Sequence, residues 1–136
     1  MKNKLVLIVD DEKDLRKIIS YNLNQENIDC IEAADGDQAI KLLNQNPSLI
    51  ILDIMMPGKD GYEICKIIRD TGNTVPIIFL TAMDREFDEI KGLEVGGDDY
   101  IRKPFSPKLL IARIKSIFRR LDQINKNGSL LKYEGL

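Results

Sequence analysis

Five aliphatic residues, Leu5-Val6-Leu7-Ile8-Val9, run without a polar side chain and stop abruptly at three acids, Asp10-Asp11-Glu12. A short unbroken apolar run has no outward-facing polar position. It fits a strand covered on both faces, which is the situation of a parallel sheet flanked by helices. Comparable runs recur at Leu49-Ile50-Ile51-Leu52 and Ile77-Ile78-Phe79-Leu80, and weaker ones at Ile28 to Ala33 and Asp99 to Ile101. Between them apolar residues return at spacings of three and four: Leu15, Ile18, Ile19 and Leu23; Ala39, Ile40, Leu42 and Leu43; Ile64, Ile67 and Ile68; Phe87, Ile90 and Leu93; then Leu110, Ile114, Ile117 and Phe118. Strands alternating with single helices specify an α/β fold, a doubly wound five-stranded parallel sheet with helices on both faces. Gly36, Pro47, Pro57-Gly58, Gly72, Gly96-Gly97 and Pro107 punctuate these elements.

The scheme absorbs residues 1–121, one domain in a chain of 136 residues. After Leu121 the apolar period fails. Asp122 to Ser129 reads as a polar linker, and Leu130 to Leu136 is too short to fold alone. Charged residues make up 31% of the chain with a net charge of -2, which argues against nucleic-acid binding by these residues, since phosphate neutralisation needs a basic face. Histidine is absent, and Cys30 and Cys65 lie far apart. A zinc site is not expected, and the two thiols read as small apolar side chains in a reducing compartment. The opening apolar stretch is too short for a leader or a membrane span, so a cytoplasmic location is expected.

In an open parallel sheet, ligands bind beyond the carboxyl ends of the strands where the strand order reverses. The first strand run leads into Asp10-Asp11-Glu12, the third into Asp53, the fourth into Thr81 and the fifth into Lys103-Pro104. In the order 2-1-3-4-5 the first and third strands are neighbours, so Asp10, Asp11 and Asp53 converge. Carboxylates that close raise one another's pKa unless a cation offsets them. Magnesium, or manganese in its place, suits an all-oxygen set completed by a phosphate. Asp53 is then a candidate nucleophile toward phosphorus, with Lys103 and Thr81 placed to meet phosphoryl oxygens. Taken singly, Asp11 could cap the first helix, Asp53 could end a strand before a turn, Thr81 could cap the following helix, and Lys103 could be solvated. Four strand ends carrying complementary chemistry make the combined reading the stronger one.

The motifs Ile8-Val9-Asp10-Asp11-Glu12, Leu52-Asp53-Ile54-Met55-Met56-Pro57-Gly58-Lys59-Asp60-Gly61, Leu80-Thr81-Ala82 and Gly97-Asp98-Asp99-Tyr100-Ile101-Arg102-Lys103-Pro104-Phe105 resemble the receiver domain of two-component response regulators, with its flavodoxin-like fold. The resemblance implies a metal held by Asp10, Asp11, Asp53 and the backbone carbonyl of Met55, and a phosphoryl group accepted by Asp53. It implies phosphoryl binding and switching by Thr81, Ala82, Tyr100, Lys103 and Pro104, with a cis peptide before Pro104. The phosphoryl donor would be a sensor histidine kinase.

The stretch from Gly97 to Pro107, with the helix ending Arg119-Arg120, is similar to the winged-helix, OmpR/PhoB-type subfamily. This implies a longer transcriptional regulator that binds DNA through a further C-terminal domain, whose start residues 122–136 would include. It also implies a phosphorylation-dependent homodimer, for which Glu94, Asp98, Asp99, Arg113, Lys115 and Arg120 are candidate contacts. Glu89 and Leu109 depart from the subfamily's bridging pair, so a weaker dimer is expected. A haloacid dehalogenase-type phosphatase would need an acid where Met55 stands. A flavodoxin-like cofactor carrier would need a phosphate-cradling loop where Asp10-Asp11-Glu12 stands. An enzyme that turns over substrate is therefore not expected.

Overall fold

A computed structural model of the chain describes residues 4–82, 90–91 and 94–133. Its elements are β1 (Leu5–Val9), α1 (Lys13–Asn24), β2 (Asp29–Ala33), α2 (Gly36–Leu42) with a 3-10 turn at Leu43–Gln45, β3 (Leu49–Asp53), α3 (Gly61–Asp70), β4 (Ile77–Thr81), β5 (Asp99–Arg102) and α4 (Pro107–Tyr133). The five strands form one sheet in the order β2-β1-β3-β4-β5, and every pairing is parallel. All five expected strands are present in the expected order. Of the helical stretch expected around Phe87, Ile90 and Leu93, residues 90, 91 and 94 are helical. Phe87, Glu89 and Leu93 lie outside the described residues.

Alternate residues of each central strand feed opposite layers. Leu7, Val9, Ile50, Leu52, Ile77 and Phe79 pack with Ala39 of α2 and with Ile64, Cys65 and Ile68 of α3. Val6, Ile8, Leu49, Ile51, Ile78, Leu80 and Ile101 pack with Ile19 and Leu23 of α1 and with Leu110, Ile114, Ile117 and Phe118 of α4. All five residues of β3 and all five of β4 are buried, which is why their sequences show no alternation. Ile18 departs from the periodic expectation. It is 50% exposed, because Leu15, Ile19 and Leu23, spaced by four, already fill the stripe that faces the sheet.

Local chemistry sets the helix starts. The Asp35 side chain accepts from Gln38 N–H at 2.8 Å and the Asp60 side chain from Glu63 N–H at 2.9 Å, satisfying amides that the first turn leaves unpaired. Ser106 Oγ accepts from Leu109 N–H at 3.1 Å ahead of Pro107, the first residue of α4.

The far end of α4 corrects the reading of residues 122–129 as a polar linker: the helix runs on to Tyr133. Propagation needs no apolar period once a helix is nucleated. Gly128 alone in that stretch costs about 1 kcal/mol relative to alanine. Lys4 also meets Asp122 at 3.2 Å, tying the start of this extension to the foot of β1. No helix among the described residues is long and apolar enough to cross a membrane.

The packing predicts a sharp contrast between two isoleucines. Ile51→Ala, in the middle of β3 with no exposure, should lower unfolding free energy by about 2–5 kcal/mol. Ile18→Ala should change it by about 0.5 kcal/mol or less. Urea denaturation followed by circular dichroism measures both, and equal effects would contradict this layer assignment.

Candidate functional site

The strand register brings four strand ends to one rim. Val9 pairs with Leu52, Asp53 with Leu80, and Thr81 with Arg102, so Asp10, Asp53, Thr81 and Lys103 follow one another across the sheet's carboxyl edge. Asp10 and Thr81 have no exposure and Asp53 has 3%, whereas Asp11 is exposed at the crevice mouth. Carboxylate oxygens of Asp10, Asp11 and Asp53 all lie within 4.8 Å of one another. Lys103 Nζ stands 3.0 Å from Asp10 Oδ2, 3.5 Å from Asp53 Oδ1 and 3.9 Å from Glu12 Oε1.

The carboxylates are further fixed by backbone donors. Asp10 Oδ1 accepts from Glu12 N–H at 2.9 Å, and Asp53 Oδ1 accepts from Met55 N–H at 3.3 Å. Asp11 does not cap α1. The N-cap residue is Glu12, without a side-chain cap bond, so the exposed carboxylate of Asp11 is not spent on the helix. Lys103 N–H donates to Thr81 C=O at 2.6 Å, and the Lys103-Pro104 peptide is cis.

One lysine does not neutralise three carboxylates. The pKa of Asp53 rises from 3.8 to about 6, through burial first and the neighbouring Asp10 second. Lys103 and the Met55 amide pull it down, and Asp11 adds a further push upward. Burial draws the Lys103 pKa down, but its hydrogen bond to Asp10 and the charges of Asp53, Asp10 and Glu12 outweigh that, and the net shift is upward. An all-oxygen, electron-rich cluster with two buried members that repel one another is what a hard divalent cation relieves. The residues present therefore fit such an ion.

The sequence matches the family described as "Response regulator receiver domain" over residues 6–115. It is 48% identical over 119 residues to the alkaline phosphatase synthesis transcriptional regulatory protein PhoP of Bacillus subtilis, covering 87% of this chain and 50% of that protein. It is 46% identical over 131 residues to the probable transcriptional regulator ycf27 of Porphyridium aerugineum, covering 96% of this chain and 54% of that one. The solved receiver domain of the Francisella response regulator 1452 superposes with a TM-score of 0.83 at 38% identity, covering 88% of this chain and 99% of that one. The chain belongs to the response regulator receiver domain family. Its likeness to PhoP places it with the OmpR/PhoB-type members, and it spans about half the length of the curated relatives it matches.

Within this receiver the remaining expected residues are distributed unevenly. Ala82 is an exposed bend residue directly after β4. Tyr100 on β5 is half-buried, packs against the α2–α3 side of the core, and lines a surface hollow with Pro104, Phe105, Leu109 and Arg113. Of the six candidate dimer contacts, Asp99 and Arg113 meet each other within the chain at 3.4 Å. Asp98 is held by Arg69 at 3.1 Å and accepts from Ile77 N–H at 2.9 Å. Lys115 pairs with Glu26, just beyond α1, and so lies on another side of α4. Glu94 and Arg120 are exposed.

Sequence reasoning missed Gly61. A Cβ there would lie 2.6 Å from Asp53 O and 2.8 Å from Ile54 Cα, so only glycine lets α3 start against the backbone that carries Asp53. Its N–H donates to Ile54 C=O at 2.9 Å. The signal available was a glycine directly after an N-cap aspartate.

The raised pKa of Asp53 has a definite sign in stability. Between about pH 4 and pH 6 the folded state holds more protons at this carboxyl than the unfolded state does. Stability contributed by the protonated group is therefore lost as pH rises through that window, leaving an ionised, unfavourable Asp53 at pH 7. Asp53→Asn should stabilise the metal-free protein at pH 7 by about 1–2 kcal/mol, discounted from about 3 kcal/mol because water reaches the crevice mouth. The gain should fade below about pH 4, where the natural carboxyl is neutral in both states. Thermal unfolding at several pH values in chelator measures it. A variant less stable at pH 7 than the natural protein would contradict this account.

Proposed function

We propose that Asp53 is the phosphoacceptor of this receiver. In this reading Asp10, Asp11, Asp53 and the backbone carbonyl of Met55 hold magnesium, or manganese in its place. The observation that carries the reading is the convergence of three carboxylates within 4.8 Å, with Lys103 3.5 Å from Asp53. When bound, the ion supplies positive charge that offsets the carboxylates and the oxygens of the transferring group. An Asp53 carboxylate oxygen attacks phosphorus, and the bond from phosphorus to the donor's imidazole nitrogen breaks. The electron pair leaves with that nitrogen. The donor is the phosphohistidine of a sensor histidine kinase, a role this histidine-free chain cannot fill itself.

Lys103 would exchange part of its contact with Asp10 for a phosphoryl oxygen, and the Thr81 hydroxyl and the backbone at Ala82 would meet the others. Thr81 and Tyr100 would then repack together, two arrangements separated by only a few kcal/mol if one phosphoryl group is to switch them.

Output follows through the surface of β5 and the start of α4. The Asp99–Arg113 pair made within the chain can be remade across a two-fold axis, where each such exchange occurs twice. Exposed pairs contribute about 0–1 kcal/mol each, so the dimer depends on several, including Glu94 and Arg120. Leu109, 44% exposed, and Glu89 offer no bridge, which makes the dimer weaker than in relatives that have one. In a full-length protein of the kind its relatives represent, residues 122–136 would lead into a winged-helix domain that binds DNA in a cytoplasmic regulator of transcription. These residues themselves would contact no DNA, and no turnover of small phosphate esters is expected with Met55 two residues after Asp53.

Incubation with a small acyl phosphate should add one phosphoryl group by intact mass, only with magnesium or manganese present. Asp53→Asn should abolish the addition while circular dichroism stays unchanged. Labelling of the variant at the natural rate, or labelling undiminished by chelator, would overturn the assignment. Sedimentation with a beryllofluoride phosphoryl mimic should show a dimer at low salt that weakens at high salt. A monomer under every condition would refute the dimer.

A further inference from the structure

We infer that Arg16, braced by Glu32, is a positioning residue for the metal-binding loop. It sets the Asp10–Asp11 peptide so that the Asp11 carboxylate is presented to the ion. The inference rests on the metal site proposed above and deepens it.

Arg16 lies in the second turn of α1, and its side chain turns back toward the end of β1. Its Nη1 donates to Asp10 C=O at 2.7 Å and its Nε donates to Glu32 Oε1 at 3.2 Å. Both side chains are largely shielded, 13% and 21% exposed. Glu32 belongs to β2, opposite Ile8 in the register, and its other oxygen accepts from Lys17 Nζ at 2.9 Å. The brace is thus anchored in the sheet rather than in the loop it supports.

Asp10 is held at every polar atom. Its N–H donates to Ala33 C=O at 3.1 Å, its side-chain oxygens meet Glu12 N–H and Lys103 Nζ at 2.9 and 3.0 Å, and its C=O meets Arg16. The last contact matters most for Asp11. A peptide unit is planar, so fixing the carbonyl oxygen of Asp10 fixes the plane that carries the nitrogen and Cα of Asp11. Asp11 is exposed and no cap bond to α1 holds it. That plane sets where the Asp11 Cα stands, and with it the positions its carboxylate can reach. Partners of this kind, one bond removed from the ligands, commonly alter metal affinity by about 10- to 100-fold.

Charge and position make opposite predictions here. Arg16 is a cation close to the place of another cation, so on electrostatic grounds its removal should strengthen magnesium binding. If it acts by positioning, its removal should weaken binding. Isothermal titration with magnesium, on the unphosphorylated full chain at moderate salt, separates the two. Arg16→Gln should weaken binding by about 10-fold. Arg16→Lys, which keeps the charge and loses the two-pronged donor geometry, should weaken it similarly. Glu32→Ala should weaken it by less, and the Arg16→Gln, Glu32→Ala double variant should be no worse than Arg16→Gln alone, as members of one linked unit behave. The amide resonance of Asp11 in magnesium-free protein should shift in each variant, a readout that needs no ion.

Unchanged or tighter magnesium binding in Arg16→Gln, beside a natural protein that binds normally, would overturn this inference and leave the metal site standing. No magnesium binding by the natural protein would overturn both. If Arg16→Gln fails to fold, Arg16→Lys and Glu32→Ala carry the same comparison, and natural affinity in both would overturn the inference.

Discussion

The repulsion between two carboxylates buried at the ends of adjacent strands is the constraint around which the rest of this receiver is arranged. Asp10 and Asp53 are almost without solvent, and a single ammonium, Lys103, stands between them. Burying unneutralised charge is costly wherever the medium is less polarisable than water. The site meets part of that cost with a lysine reached from β5 and with backbone donors at Glu12 and Met55, and the raised proton affinity of Asp53 registers the part that remains. Such a site has an energetic use for positive charge from outside, so a cation held there would draw on strain already present in the resting fold.

The sheet makes that arrangement possible. β3 and β4 are covered on both faces, and rigid, close-packed interiors do not relax by bringing water to a strand end. Gly61 extends the same rigidity to the start of α3, where a single methyl group would press on the Asp53 backbone. Stable strands thus hold mutually repelling groups together.

Much of this was legible in the sequence because the two signals involved are local. Continuous aliphatic runs marked the strands, and the polar residue ending each run marked the rim. The parallel order then brought Asp10, Asp11, Asp53, Thr81 and Lys103 together. What the sequence hid depends on contacts between distant segments. Nothing near Glu32 announces that it braces Arg16, because that pairing exists only once β2 lies beside β1. Ile18 fits the apolar period as well as Ile19 does, and only the filled stripe beside it leaves it exposed. The end of α4 was misread for the opposite reason. A polar stretch without apolar period can still propagate an existing helix, and the loss of periodicity reports the end of packing rather than the end of helix.

The two ends of β5 are held in different ways, and this determines where movement can pass. At its entry, Arg69 of α3 donates to Gly96 C=O through Nε and Nη2 at 3.0 and 2.7 Å, and through Nη1 to Asn73 and Val75 C=O at 3.1 and 2.7 Å. It also meets Asp98, which in turn accepts from the first amide of β4. A guanidinium committed to so many carbonyls fixes the approach to β5 against α3 and β4. At its exit the strand is tied to the site itself, through Lys103 N–H to Thr81 C=O and Lys103 Nζ to Asp10 and Asp53. A change of charge at Asp53 would act on that exit directly, through Lys103, while the bonds of Arg69 hold the entry. On the proposed reading the response would concentrate in the stretch from Tyr100 to Phe105, beside Leu109 and Arg113 at the start of α4. Under the proposed function, coupling of this kind would require no path through the core, because the same four-residue strand and the turn that follows it would both meet the phosphoryl group and present the altered surface.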